Sequence, residues 1–455
     1  MTPVTTWTGR EANALRKALR MSVSDFAAHL GAARRTVAKW SSRGNGIRLR
    51  HDMQAALDTV LARTSEDARE RFAQSLLEGT GGTFTTTEAD RAPRSASSVA
   101  DTGFPDVEDL SVDGDVRRRD LLPLAVTALS AATVAPAVTK VLDALLPTAG
   151  ERTDVPAPMS LHQLDRAVAG AKDHYQACRY EQVLGDLTAL LRALPLLESD
   201  NAGEDLDRMR VLATDTYHVV GSVLLKLDDP AMALVAAERS VQYALASDDP
   251  VAAGTSARIM THALMGNGHA HRAVGLTTNA AQTLDRATSL DSDDAVAVYG
   301  ALVLRGAIAA ARSEDRDTAG TLLDEASRAA ALLGRDGNDR WTGFGPTNVL
   351  LHRVNVALTL GDAGSAISIA RQVQLDKITL AERRACFFVD VAAAYTQWGR
   401  HEQALRALRT ADRIAPEEVR NRSATRRIVG DLAVLAQGSV RTEVAEFATG
   451  VGIRL

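Results

Sequence analysis

Residues 388–416 read FVDVAAAYTQWGRHEQALRALRTADRIAP, and they contain the clearest structural pattern in the chain. Two helical segments flank a break at Gly399, and small residues recur in the second segment at Ala404 and Ala411. We expect Gly399, Ala404 and Ala411 to let two antiparallel helices pack closely, and Pro416 to stop the second helix. The stretch therefore predicts a helical hairpin.

The same spacing can be followed upstream, which indicates an internal repeat. Residues 158–437 contain Ala and Leu at helical spacing almost throughout, with little of the β-branched alternation typical of strands. Successive copies are about 38 to 49 residues apart. The residues that correspond to Ala404 are Leu184 in a degenerate first copy, then Ala233, Ala273, Ala319 and Ala366. We predict six helix pairs and a capping helix over 417–437.

The repeat resembles the tetratricopeptide (TPR) repeat. The resemblance rests on Tyr395, Gly399, Ala404, Ala411 and Pro416, although the upstream copies are longer than a regular TPR unit. It implies an α-solenoid with a continuous core between neighbouring repeats and one concave surface.

Transferring the repeat register gives candidate ligand-binding positions on the first helix of each pair. Asparagine side chains suit a peptide backbone, because one amide can both donate and accept a hydrogen bond. The alternative for each position is an ordinary solvated side chain. The candidates are Asp215, His218, Ser222, Lys226, Thr255, Arg258, His262, Asn348 and Asn355.

The N-terminal residues 7–77 predict a compact helical head. Ser22 stands three residues before Asp25, which is typical of a helix N-cap, and Phe26 supplies the inner face of that helix. A third helix is expected from Arg34 to Ser42. In that helix Val37 and Trp40 should face inward, which leaves the basic positions outward.

This head resembles the XRE family of helix-turn-helix proteins. The resemblance rests on the apolar positions of the first two helices, on Gly31 and on Trp40. The sequence departs from the family at Val23, Ala33 and Ser41. The family's DNA-facing positions fall on Arg34, Arg35, Thr36 and Lys39, with Arg43, Arg48 and Arg50 following as phosphate contacts. The alternative is a solvated basic face on a small helical domain.

The charge distribution agrees with a DNA-binding head. Residues 1–77 contain 13 Lys and Arg against 7 Asp and Glu, whereas the whole chain has a net charge of −5. A basic head on an acidic body suggests that only the head meets a polyanion. Between the two, residues 78–116 are rich in Gly, Ser, Thr, Asp and Pro and predict a flexible linker. Residues 438–455 are expected to form a C-terminal tail.

An apolar connecting helix is predicted within residues 117–147. The uncharged run from Leu121 to Thr139 is long enough to cross a bilayer and follows three arginines, so a membrane-tethered protein is one alternative. The run is rich in Ala, Thr and Ser, and Pro123 and Pro136 lie near its ends. We therefore favour a helix buried against the body, in a cytoplasmic protein.

Signs of catalysis or of a cofactor are weak. None of the six lysines follows a glycine, so a phosphate-binding loop of the Walker type is not expected. Cys178 and Cys386 are too few for a disulfide framework or a cysteine-based zinc site. We expect no enzyme activity, no metal and no cofactor.

An XRE-type head joined to a TPR-like body resembles the peptide-sensing regulators of the Rap, PlcR and PrgX type. The resemblance implies a transcription regulator that binds double-stranded DNA as a homodimer and senses an effector, either a short peptide or a small molecule. The loop from Arg340 to Pro346 places Trp341 and Phe344 between glycines, and is expected either to wall the groove or to anchor itself in the core. The alternative is an interaction scaffold whose head binds DNA weakly.

Overall fold

A computed structural model describes residues 7–30, 32, 34–47, 49, 51–78, 129–147 and 159–455. The regular structure of these residues is helical, which confirms the predicted all-α class. They form two compact units. The first contains the N-terminal helices and residues 427–446, and the second contains the helices between 129 and 426 together with residues 447–454.

The N-terminal helices surround an apolar core. They are α1 (Gly9–Ala18), α2 (Val23–His29), α3 (Arg34–Arg43), α4 (His51–Arg63) and α5 (Glu66–Glu78). Thr8 and Glu11 form a capping box that satisfies the first amide groups of α1. The largest side chains of the core are Trp7, Leu15, Phe26, Trp40, Leu57 and Phe72, each at most 4% exposed. Trp40 is therefore a core residue, as predicted.

Trp7 packs the start of the first unit against α4 and α5. Its ring stacks on Phe72 with centroids 5.8 Å apart, and its indole N–H donates to Asp58 at 2.7 Å. The neighbouring Gly9 lies so close to α3 that a β-carbon would stand 2.4 Å from the carbonyl oxygen of Trp40. Only glycine permits this approach of α1 to α3.

The connecting segment is described only in part. Helix α6 (Leu129–Leu145) begins within the apolar run, whereas the predicted linker and residues 121–128 lie outside the described residues. Among the α6 side chains that the structure describes, Val141 and Leu145 are buried; they lie beyond the run and pack against the first repeat. Pro136 and Thr139 are exposed. The described C-terminal part of α6 is therefore packed against the repeats.

The second unit contains six helix pairs, the predicted number. The pairs are α7 (Leu161–Gln176) with α8 (Tyr180–Asp200), α9 (Gly203–Lys226) with α10 (Pro230–Ala246), α11 (Pro250–Gly266) with α12 (Ala270–Thr288), α13 (Asp293–Arg312) with α14 (Arg316–Leu333), α15 (Pro346–Thr359) with α16 (Ala363–Ala370), and α17 (Ala381–Gln397) with α18 (His401–Ile414). All six positions equivalent to Ala404 have no exposed surface. The residues that define the repeat therefore lie at the contacts between its helices.

One glycine of the repeat has a different role from the one expected. Gly399 follows the first helix of its pair with φ +78°, and a β-carbon there would meet no atom within 4 Å. It allows the turn and makes no close helix contact. Gly221, by contrast, is a packing glycine, because a β-carbon there would stand 2.9 Å from the side chain of Ile259.

The last repeat contacts the first and second repeats, a closure that the repeat pattern did not predict. The phenol of Tyr180, at the start of α8, donates to Glu418. Lys226, at the end of α9, donates to Glu382 at 2.5 Å and to Glu418 at 2.8 Å. These pairs span more than 150 positions in the sequence, and they close the array of helices on itself.

The C-terminal residues also differ from the predicted division into a capping helix and a tail. Pro416 ends the last pair as predicted, but α19 (Pro416–Asn421) is separated from α20 (Ser423–Leu435) by the extended backbone of Arg422. Val434 and Leu435 pack against the apolar core of the first unit. Residues 438–455 include helix α21 (Gly438–Gly450).

A search of the described helices for membrane-spanning candidates finds α13. Its length and hydropathy would allow it to cross a bilayer, but most of its apolar stretch is buried inside the repeats.

Candidate functional site

The candidate DNA-binding face lies on α3. Val37 and Trp40 are buried at 2% and 4% exposure, whereas Thr36 and Lys39 are exposed. The helix is thus amphipathic in the predicted register. Arg34, Arg35 and Arg43 belong to the same helix, while Arg48 and Arg50 lie outside the described residues.

Two serines fix the helices next to this face. The backbone amide of Asp25 donates to the hydroxyl of Ser22 at 3.0 Å, which is the predicted N-cap of α2. Ser41 of α3 donates to the side chain of Asn13 in α1 at 3.1 Å. Val23 is fully buried, so it contributes to the core and offers no polar group to a phosphate.

The candidate ligand site lies among the first helices of the repeats. Instead of lining an open groove, charged side chains from α7, α9, α11, α13 and α17 are gathered inside the closed array, together with one from the loop before α15. We call them the inner cluster. Its members are Lys172, Asp215, His218, Arg258, Arg305, Arg340 and Arg383.

Asp215 is the carboxylate of the inner cluster, and it is 3% exposed. One of its oxygens forms an ion pair with the amine of Lys172 at 2.7 Å. The same oxygen accepts a hydrogen bond from Arg340 at 3.4 Å. Its other oxygen is buried without a hydrogen-bond partner. Because Lys172 and Asp215 come from different helix pairs, this ion pair joins the first repeat to the second.

His218 is held in one neutral form. Its Nδ1 lies 3.1 Å from the carbonyl oxygen of Thr255, which can only accept, so Nδ1 carries the proton. Its Nε2 then accepts from Arg258 at 3.1 Å. Burial, together with the positive charges of Arg258 and Lys172, places the pKa of His218 well below its usual value.

Arg305 and Arg383 contribute two further guanidinium groups. Arg383 donates to the carbonyl of Thr342 at 3.2 Å and lies 3.5 Å from Glu382. Arg305 makes no hydrogen bond or ion pair with any residue that the structure describes, and its Nε is buried. Burial and the nearby charges of Arg383 and Arg258 lower the pKa of Arg305 well below that of a free arginine.

The remaining candidates lie in other surroundings. Ser222 is buried, and His262 lies within electrostatic reach of Arg305 and Arg258. Asn348 is 4% exposed, and neither its side-chain oxygen nor the Thr255 hydroxyl has a hydrogen-bond partner in the described part of the chain. Asn355 donates to Asp390 at 2.9 Å and is therefore already occupied.

Lys226 belongs to a second buried group, which closes the array. Burial alone would raise the pKa of Glu418, but Lys226 and Arg422 outweigh it and lower that pKa to about 2. Glu382, Cys386 and Glu418 have possible metal-binding atoms within 4.8 Å of one another. Since Lys226 and Arg422 already neutralise the two carboxylates, this group is a salt-bridge network and fits a metal ion poorly.

The loop over 335–345 covers the inner cluster, and its two aromatic residues have different roles. Phe344 is fully buried, with its ring directly against Gly300. Trp341 lies over Lys172, whose amine is 4.0 Å from the ring centroid, and its indole N–H donates to Asp173 at 3.3 Å. Phe344 thus anchors the loop in the core, and Trp341 closes the loop over the inner cluster.

Several members of these groups were missed from the sequence. They are Lys172, Arg305, Arg340, Arg383, Glu382 and Glu418. One signal was available for Arg305, because it is the charged residue within the buried apolar stretch of α13 between Ala295 and Ala311. A charged side chain inside such a helix must find a partner or face a polar interior.

No protein-family model and no curated protein matches the sequence. Among solved structures, the crystal structure of a Rap protein complexed with competence and sporulation factor matches with a TM-score of 0.39 and 11% sequence identity. The match covers 65% of this chain and 88% of that one. At this level it is a loose similarity between two helical proteins.

Proposed function

We propose that the protein is a DNA-binding transcription regulator, in which the N-terminal unit reads double-stranded DNA and the repeat domain senses an effector. The DNA-binding role is supported by the amphipathic character of α3. This helix buries Val37 and Trp40 and exposes Thr36 and Lys39. The excess of basic residues in the head supports it.

The proposed mode of binding places α3 in the major groove. A short helix preceded by α2 has the dimensions of a recognition helix. Arg34 and Arg35 stand at positions from which arginine can grip guanine with two hydrogen bonds, and Thr36 can meet a thymine methyl group. Arg43, Arg48, Arg50 and Lys39 add contacts to the phosphates or to neighbouring bases.

The proposal includes a homodimer, because one recognition helix offers too few base contacts for strong specificity. It assigns the repeat domain no catalytic step and places the protein in the cytoplasm. The effector, a short peptide or a small molecule, would be bound by the inner cluster. The buried atoms of Thr255, Arg258 and Asn348 that lack partners support a binding role.

Selection of binding sites from a random duplex library tests the DNA-binding role. The full chain is used to enrich duplexes, and the affinity for the enriched sequence is then measured at two salt concentrations. Arg35→Ala should weaken specific binding by about 1–3 kcal/mol. Arg272→Ala is the matched control, because Arg272 is an exposed arginine of α12. Equal affinity of the wild type and Arg35→Ala for the enriched duplex would contradict the recognition-helix assignment.

A second candidate is an interaction scaffold with a weak DNA-binding head. The burial of Val23 favours it, because the family often has a phosphate-contacting glutamine at this position. In that case the library yields no preferred sequence, and the residual affinity depends steeply on salt and is insensitive to Arg35.

A further inference from the structure

The inner cluster has more positive than negative charge. Lys172, Arg258, Arg305, Arg340 and Arg383 bring five cations from five different segments of the chain. Two carboxylates, Asp215 and Glu382, face them, and Glu382 is shared with Lys226. Buried charges are normally paired, because an unpaired one loses its solvation energy without compensation. The excess therefore needs an explanation.

The excess is concentrated on three arginines from the third, fourth and sixth helix pairs. Arg258, Arg305 and Arg383 come from α11, α13 and α17 and repel one another electrostatically. Burial and the charge of Arg383 lower the pKa of Arg258 to about 10. Removal of Arg305 would relieve this repulsion, so a purely structural role does not account for it.

The same region contains buried polar atoms that have no hydrogen-bond partner among the residues that the structure describes. The Nε atoms of Arg258 and Arg305 are buried donors, and the hydroxyl of Thr255 is a further buried polar group. Arg258 and Thr255 are 9% and 3% exposed. A buried polar atom without a hydrogen bond destabilises the folded chain, because it loses its contact with water and gains nothing in return. Donors without a hydrogen bond, next to an excess of positive charge, suit an anion that has several acceptor oxygens.

We propose that the inner cluster binds a small phosphate monoester or free phosphate, with Arg258, Arg305 and Arg383 contacting the phosphoryl oxygens. A phosphate carries nearly two negative charges and three acceptor oxygens, so it offsets more of the excess than one carboxylate could. Guanidinium groups match it with pairs of parallel hydrogen bonds. This inference rests on the proposed function, for which it names the class of effector.

The closing loop favours a small ligand over an extended peptide. Trp341 lies over Lys172, and the side chains of Gln176 and Asn338 are joined by hydrogen bonds of 2.9 and 3.0 Å. Together with the ion pairs of Lys226 with Glu382 and Glu418, these contacts close the interior that an extended peptide would have to cross. A phosphate ion is far smaller than an extended peptide, so it is the ligand that a closed interior favours.

Thermal unfolding of the full chain tests the proposal with inorganic phosphate as the probe. The midpoint is measured in sodium phosphate and in sodium chloride of the same ionic strength. Phosphate should raise the midpoint of the wild type by roughly 3–5 °C over chloride. Hydrogen exchange should slow in residues 335–345 at the same time, because the loop closes over the bound anion. Equal midpoints in the two salts would overturn the proposal.

The variant Arg305→Gln gives the sharper test. It should have a higher midpoint than the wild type in chloride, because an unpaired buried cation is removed, and it should lose the response to phosphate. The surface variant Arg272→Gln should behave as the wild type in both salts. If Arg305→Gln is destabilised in chloride, or still responds to phosphate, the assigned site is wrong.

Two further measurements separate this proposal from the DNA-binding one. If the phosphate response disappears in Arg35→Ala and persists in Arg305→Gln, the anion binds to the head and the inner cluster is not its site. Isothermal titration with phosphate reports binding directly and remains informative if Arg305→Gln does not fold. DNA affinity is measured separately in phosphate-free buffer, so either proposal can fail while the other stands.

Discussion

The two units of the molecule place their charges in opposite ways. The N-terminal unit has an apolar core around Trp7, Phe26 and Trp40 and exposes the polar side of α3. The repeat domain has apolar layers between its helices, but it encloses ion pairs such as Lys172–Asp215 and Lys226–Glu418. Charges on the first unit can meet a partner without any change in its core. Charges in the second are part of the fold, so binding there must exchange one set of internal contacts for another.

This difference predicts that ion pairs matter far more to the stability of the repeat domain than to that of the head. It also predicts that an effector acts through the packing of the repeats, because the inner cluster draws residues from α7, α9, α11, α13 and α17. The following tests act on one unit at a time, and hydrogen exchange followed by mass spectrometry reads both units in the same sample.

The largest effect is expected from Lys226→Met. The substitution leaves the carboxylates of Glu382 and Glu418 buried with one counter-charge fewer, and breaking such a network costs about 3–5 kcal/mol. Protection from exchange should fall across the repeats while the head stays unchanged. Lys140→Met is the control, because Lys140 is exposed on α6. Unchanged protection near Tyr180 would mean that the network does not hold the two ends of the array together.

Acidification should also act on the repeat domain. Burial and the nearby arginines lower the pKa values of His218, His262 and His352 well below their usual range. The unfolded chain therefore binds protons that the folded chain does not, so the stability conferred by neutral histidines is present above pH ~6.5 and is lost as the pH falls. Each histidine should contribute a loss of about 1.4 kcal/mol per pH unit below that value.

Urea unfolding at pH 7.5 and 5.5 measures this loss, with exchange protection assigning it to the repeats. The variant His352→Gln should reduce the pH dependence by about one proton. If the head loses stability as steeply as the repeats between the two pH values, the histidines are not its source.

Local patterns in the sequence predicted the helices well, whereas the closed interior could not be derived from them. The alanines equivalent to Ala404 mark helix contacts that recur within each repeat, so their spacing is visible in the sequence. The register also brought Asp215, His218 and Arg258 onto one side. Closure depends on Tyr180–Glu418 and Lys226–Glu382, whose partners are far apart in sequence and obey no periodicity. The open groove was inferred from the repeat type, and the superhelical pitch that closes it is set by packing details of many side chains.

A pair of glycine substitutions compares packing in the two units. Gly9→Ala should destabilise the head by about 1–3 kcal/mol, because the new methyl group would overlap the carbonyl of Trp40. Gly170→Ala in α7 meets no atom within 4 Å and should be neutral or stabilising by up to about 1 kcal/mol. Thermal unfolding and exchange protection of each unit measure both. A tolerant Gly9 position would show that α1 can shift away from α3 at little cost.

The smallest effect should be the same in both units. Ser22 caps α2 in the head and Ser160 caps α7 in the repeat domain, each through a hydrogen bond to the amide three residues later. Ser22→Ala and Ser160→Ala should therefore each cost about 1 kcal/mol, measured as loss of exchange protection in the first turn of the helix concerned. Equal losses would place the difference between the two units in the burial of charge, since the local chemistry of their helices would be the same. A markedly larger loss at Ser160 would instead mean that the end of α7 transmits strain to Lys172 and the rest of the inner cluster.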